Sequence, residues 1–227
     1  MGLIFSVNVG SPRIIDWHGQ QVSTAIWKFP VAGPRRLAGV NVDGDEQADR
    51  SVHGGADKAI YAYAREDLEF FETLHTPITP GMFGENLTTL GLSITDAVIG
   101  ERWQVGSALL QVAQPRLPCF KLGIRMNDPL FPRRFAAAGR PGTYLRILTE
   151  GDVGHGDKVA IVDRPAHGIT VGQVAHIYHR DRTAVGRLLQ APELPAEWHE
   201  WAAARQAILP IPRSSPPQTG TARVKGR

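Results

Sequence analysis

At 227 residues with 42% hydrophobic content, the chain is long enough for one sizeable core and a small appendage. Its single cysteine excludes an intramolecular disulfide framework and fits a reducing compartment. The net charge of +3 points to nucleic acid only until it is located: residues 211–227 hold Arg213, Arg223, Lys225 and Arg227 and no acid, and without them 21 basic side chains stand against 22 acidic ones.

That tail is rich in Pro, Ser, Gly and Thr and reads as disordered, so no specific nucleic-acid partner is expected. Residues Met1–Asn8 carry no charged leader and read as a strand. No run approaches the roughly 18 apolar residues of a membrane span, so a cytoplasmic protein with no membrane partner is expected.

In chain order, residues 3–9, 22–29 and 36–42 carry alternating or β-branched apolar runs between Gly and Pro and predict strands. The segments 59–63, 107–114, 142–149 and 158–163 predict four more. Gly-Asp pairs at 151–152 and 156–157 read as turns. One helix is expected from Arg65 to about His75, where Leu68, Phe71 and Leu74 repeat and Glu66 and Asp67 occupy the first turn. A shorter one follows Pro132, over Arg133–Ala138. Strands dominate the first 165 residues with few helices to serve as crossovers, which favours a barrel.

Composition shifts after Arg164-Pro165. Thr170 and Gln173 form a capping-box pattern that opens a helix to about Tyr178. Asp181 caps a second, through Leu189, and Pro195 is placed as the first residue of a third, which carries Trp198 and Trp201. The expected organisation is a mainly β barrel with a few short helices over 1–165, a three-helix bundle over 166–210 that is too small to be stable alone, and the basic tail.

Cys119 lies in Gln114-Pro115-Arg116-Leu117-Pro118-Cys119-Phe120-Lys121, where two prolines stiffen the approach and a cation stands on either side. Arg116 and Lys121 favour the thiolate, which is the nucleophilic and metal-binding form. From Gln111 to Arg146 there are seven cations and one acid, a local field that suits a small anion. Upstream, His53-Gly54-Gly55 reads as a backbone nest for an anion, with His53 as a further donor and as a possible Cys-His partner. The acids of Asp43–Asp57 lack the offsets of an EF-hand. Eight scattered histidines and one cysteine give no zinc pattern. Pro80-Gly81-Met82-Phe83-Gly84-Glu85-Asn86 is a Gly-spaced loop with a carboxylate and an amide at its tip.

The order HGGxDKA, PGxFGENL, QPRxPCxKL, GTYLRIL and a closing Gly-Asp turn resembles the MOSC domain family, and the appended helices resemble its YiiM-like subgroup. The resemblance runs from about Ser6 to Leu209 and implies a β-barrel that binds a molybdenum–molybdopterin cofactor. Its dithiolene brings two sulfurs, so a single soft thiolate from the protein completes the set. By the same resemblance Cys119 is the metal ligand and catalytic centre, and His53, Gly54, Gly55, Lys58, Asn86, Arg116 and Lys121 are cofactor-binding residues. The implied activity is reduction of N-hydroxylated nucleobases or related small molecules to amines. No flavin, nicotinamide or iron–sulfur motif is present in the sequence, which implies an external reductase or flavoprotein as electron donor. Two alternatives remain: a sulfur carrier with a persulfide on Cys119, and a molybdopterin-binding module without turnover. Pairing of two copies through the helical unit is a further expectation.

Overall fold

The computed structural model describes residues 2–48, 54–72 and 77–208. Strands β1 (Gly2–Val9), a hairpin of β2 (Arg13–Trp17) and β3 (Gln20–Thr24), and the short β4 (Phe29–Pro30), β5 (Arg35–Ala38) and β6 (Asn41–Val42) make up the first part. Then come β7 (Ile60–Ala64), α1 (Arg65–Phe71), β8 (Leu87–Leu90), β9 (Arg102–Val105), β10 (Ala108–Pro115), α2 (Phe120–Arg125) and α3 (Phe131–Ala138). Strands β11 (Thr143–Thr149), β12 (Gly151–Val153) and β13 (Lys158–Asp163) follow. Helix α4 (Val171–His179), a 3₁₀ segment (Arg182–Gln190) and α5 (Ala196–Gln206) complete the described part.

Seven strands pair in the order β13-β9-β10-β11-β7-β8-β1, and β13 pairs again with β1, closing a barrel. Closure rests on the antiparallel partners Gly2↔Val159 and Leu3↔Lys158. All contacts in the barrel are antiparallel except β7–β8, which run parallel and are joined through α1. A parallel pair needs a crossover, and α1 supplies one that spacing alone did not reveal.

The expected strands at 3–9, 59–63, 107–114, 142–149 and 158–163 match β1, β7, β10, β11 and β13. The expected strand at 22–29 stops at Thr24 because β3 is the return arm of a hairpin with β2, and 36–42 folds back on itself as β5 and β6. Gly151-Asp152 is in strand β12, paired with β5, not in a turn. Helix α1 ends at Phe71, and Glu72 is already extended; the further residues assigned to it, 73–76, lie outside the described residues, as does the tail 211–227.

In the C-terminal part the capping box forms as expected, Gln173 N donating to Thr170 Oγ1 at 3.2 Å and Thr170 N to Gln173 Oε1 at 3.2 Å. Asp181 caps the middle segment by accepting from Thr183 N at 3.2 Å, but the turn winds as 3₁₀. Gly186 sits at its centre, where helix propensity is poor and a Cβ would meet the Gln206 amide at 3.0 Å. Pro195 takes the N-cap of α5, one residue earlier than expected.

Two buried clusters fill the molecule. One is largely aliphatic: it lines the barrel with residues such as Ile4, Ile60, Leu110 and Leu145 and continues into the C-terminal helices through Val174, Leu188 and Trp198. The helical unit therefore completes its core on the barrel wall. The second is aromatic: Tyr61, Tyr63, Phe83, Phe131 and Phe135 pack where α2, α3 and the 81–86 loop cover the outer face of β7.

Candidate functional site

Cys119 is the N-cap of α2, in extended conformation, with its carbonyl accepting from Leu122 N at 3.0 Å. Pro115 ends β10, so the strand delivers Arg116-Leu117-Pro118-Cys119 directly to the barrel mouth. The half-buried thiol faces two adjoining chambers that share Lys58, Cys119 and Tyr144.

The first chamber is lined by Lys28, Lys58, Asn86, Arg116 and Lys121, with Thr24, Ile26, Glu46, Gln47, Tyr61 and Tyr144. Arg116 is buried, donates to the Phe83 carbonyl, and lies over the Tyr61 ring at 4.8 Å and Phe135 at 5.8 Å. Its aromatic bed is rigid: Tyr61 OH donates to Pro141 O at 2.8 Å, and Tyr63 OH to Arg140 O at 2.8 Å. Burial works against the Arg116 charge, but the Tyr61 and Tyr144 hydroxyls and the Cys119 sulfur outweigh it and hold its pKa above the ordinary guanidine value. Burial pushes both phenols upward, so they stay neutral near pH 7.

Asn86 is a strut of the wall. Its Oδ1 accepts from Tyr61 N at 3.2 Å, and its Nδ2 donates to Asp45 Oδ2 at 3.0 Å. Asp45 also accepts from Gly10 N at 2.8 Å and pairs with the buried Lys28. Burial lowers the Lys28 pKa, and Asp45 opposes the change without cancelling it. The loop at 81–86 is drawn tight by Glu85, whose carboxylate accepts from Phe83 N at 3.0 Å and Thr88 Oγ1 at 3.1 Å, and also from Gly81 N. Gly81 has φ +84, and a Cβ there would meet the Lys28 carbonyl at 2.5 Å, so glycine is what lets this loop lie on the Lys28 strand.

The structure thus brings Lys58, Asn86, Arg116, Cys119 and Lys121 to one chamber. Gly54 and Gly55 are not on its wall; Gly55, with φ +93, opens the 3₁₀ turn Ala56–Lys58 that leads to Lys58. His53 lies outside the described residues. The seven-cation stretch does not act as one field. Arg134 pairs with Asp128, Arg140 with Asp67 and Arg146 with Asp57, and only Arg116 and Lys121 of the seven line the chamber. Lys28, Tyr61 and Tyr144 escaped the sequence reading. Tyr61 and Tyr144 are cross-strand partners in β7 and β11, with ring centroids 5.3 Å apart, and a register of those two strands would have paired them. No spacing signal marks Lys28.

The second chamber is a cleft of about 420 Å³ between the barrel and the C-terminal helices. Its walls are Pro115, Leu117, Pro118, Tyr178, Trp198 and Trp201, with Gln114 at the back and Lys58 and Glu197 at the side. Lys58 Nζ and Glu197 Oε1 are 3.4 Å apart.

Among the described residues no group of three His, Cys, Asp or Glu side chains is placed to hold a metal ion. Only one sulfur faces the basic chamber. A metal seated there would bring most of its own ligands, and its carrier would be anionic. The donor set fits a dithiolene-bound metal on a phosphorylated pterin. No helix among the described residues is long and apolar enough to cross a membrane.

A family model described as MOSC domain matches residues 49–160. The chain is 34% identical to the protein YiiM of Escherichia coli, over 77% of this chain and 81% of that protein. It is 31% identical to a protein named reductase from Gibberella moniliformis over 78% of this chain, but spans only 32% of that longer protein. The crystal structure of YiiM from Geobacillus stearothermophilus superposes with a TM-score of 0.75 at 34% identity, covering 90% of this chain and 99% of that one. The chain belongs to the MOSC domain family, with YiiM proteins among its relatives.

Proposed function

From that membership we propose that the protein is a molybdenum-cofactor oxidoreductase that reduces N-hydroxylated nucleobases or related compounds to amines. The observation that carries this reading is a single thiol at the mouth of a basic chamber, in a family associated with molybdenum cofactor binding. The similarity to a protein named reductase supports the enzymatic part.

In this reading Cys119 supplies one thiolate to the metal. Arg116, Lys121 and Lys58 hold the anionic part of the cofactor, with Asn86 fixing the wall behind it. His53, Gly54 and Gly55 are proposed to close over the same anion. The cofactor, when bound, supplies two-electron oxygen-atom chemistry. The net reaction consumes two electrons and two protons: the N–O bond breaks, the oxygen leaves as water, and the amine remains. The residues of the chain position the reactants and exclude water, and the electrons come from an external reductase or flavoprotein.

The test is molybdenum per chain, by elemental mass spectrometry, for wild type and Cys119→Ser made in a cofactor-competent host. Near-stoichiometric metal in wild type and its loss in the variant are expected, together with conversion of 6-hydroxylaminopurine to adenine by the wild type under a chemical reductant. Metal-free wild type, or a Cys119→Ser protein with full metal and activity, overturns the reading.

A further inference from the structure

The two chambers that meet at Cys119 differ in chemistry. One is basic; the other has aliphatic and aromatic walls, and its volume of about 420 Å³ is in the ordinary range of small-ligand pockets. A phosphorylated cofactor has reason to occupy only the first. We propose that the second is the substrate subsite, which takes a flat, uncharged ring with its N-hydroxyl group directed at the shared border of Lys58, Cys119 and Tyr144. The proposal rests on the reductase reading and deepens it.

The polar groups of the cleft decide how it would select. Gln114, the amide at its back, is engaged on both sides: its Oε1 accepts from Trp198 Nε1 at 2.7 Å and its Nε2 donates to Asp57 O at 3.3 Å. It has little left with which to read the edge of a base. Trp198 is fixed by that bond, and Tyr178 packs on both indoles, at 5.6 Å from Trp198 and 5.2 Å from Trp201. Lys58 is held to Glu197 at the side. The remaining recognition is shape and apolar contact. Such a pocket discriminates weakly between similar rings, whereas a site built on hydrogen bonds rejects the wrong partner strongly. The cleft therefore accepts purine, pyrimidine and benzene rings alike and disfavours N-hydroxy compounds that lack a ring. Trp201 and Leu117, both half-buried, are the residues that set this preference.

The experiment uses the cofactor-loaded full chain. It measures kcat and KM for 6-hydroxylaminopurine, for an N-hydroxylated cytosine and for N-hydroxyurea, and, separately, equilibrium binding of adenine, which needs no turnover. Trp201→Ala is expected to raise KM for the two ring compounds roughly 5- to 100-fold, as for loss of one aromatic–base contact, and to weaken adenine binding in parallel. N-hydroxyurea kinetics and molybdenum content should be unchanged. Leu117→Trp, which fills the cleft, gives the same pattern should Trp201→Ala disturb folding.

If both variants reduce the ring compounds with wild-type KM and bind adenine normally, the cleft is not the subsite, and the reductase reading stands. If wild type reduces none of the compounds yet binds adenine in a manner lost in both variants, the cleft is a ring-binding site and the reductase reading falls. No saturable adenine binding by wild type overturns the proposal.

Discussion

The aliphatic cluster inside the barrel and the aromatic cluster outside β7 are both dry, but they answer to different neighbours. Ile4, Ile60, Leu110 and Leu145 touch other hydrocarbon and fix only shape. Phe135 stacks on Phe71 at 5.6 Å, meets Phe83 edge-on at 5.5 Å, and carries the Arg116 guanidinium at 5.8 Å. An aliphatic wall gives a buried cation no electrostatic return, whereas the π-face of a ring attracts it. The aromatic cluster is therefore both a packing unit and the seat of the site's most buried charge, and damage to the two clusters should have different consequences.

The largest effect separates them directly. Phe135→Ala should lower unfolding stability by about 3–5 kcal/mol and also reduce molybdenum occupancy of the fraction that remains folded, because Arg116 loses its support. Leu110→Ala should cost about 2–5 kcal/mol with occupancy of the folded fraction unchanged. Urea unfolding and elemental analysis of the gel-filtered monodisperse fraction check both; equal occupancy in the two variants would break the distinction. Arg116→Met sharpens it from the other side. It should cost about 1.5–3 kcal/mol at most, the worth of a hydrogen bond to a charged group, while cofactor occupancy falls far more than after any barrel substitution.

The smallest effect is in pH dependence. Burial lowers the Lys28 pKa from 10.5 in the folded state, so folding disfavours its proton. The penalty is fully present below the lowered folded value and disappears as pH rises through it toward 10.5. Lys28→Met removes this dependence. The stability of wild type relative to the variant should therefore grow between neutral pH and pH 10.5, as read by denaturant melts across that range; a constant difference would place Lys28 in water.

Most of the barrel was legible because its long strands alternate or carry β-branched runs over five to eight residues, as β1, β7 and β10 do. What escaped was short or depended on distant pairing. β8 and β9, of four residues each, carry too little pattern, and β12 is a strand only because β5 pairs with it. At the site, Arg116, Lys121 and Cys119 were readable because one turn of chain holds them. Tyr144 and Lys28 reach the same chamber from 25 and 91 residues away from Cys119, by way of sheet register and a buried ion pair, and neither leaves a local trace. The seven-cation stretch misled for the converse reason: its countercharges Asp57 and Asp67 sit elsewhere in the sequence.

The seam of the barrel has a consequence for synthesis. Gly2 finds its partner only at Val159, so during translation β1 carries an open edge until nearly three-quarters of the chain has been made. Open edges recruit other strands, and pairings this remote in sequence form slowly. The nascent protein thus passes through a stage in which β8 protects one side of β1 and the other awaits β13, and chaperone demand should peak there, before the C-terminal helices have emerged to seal the core.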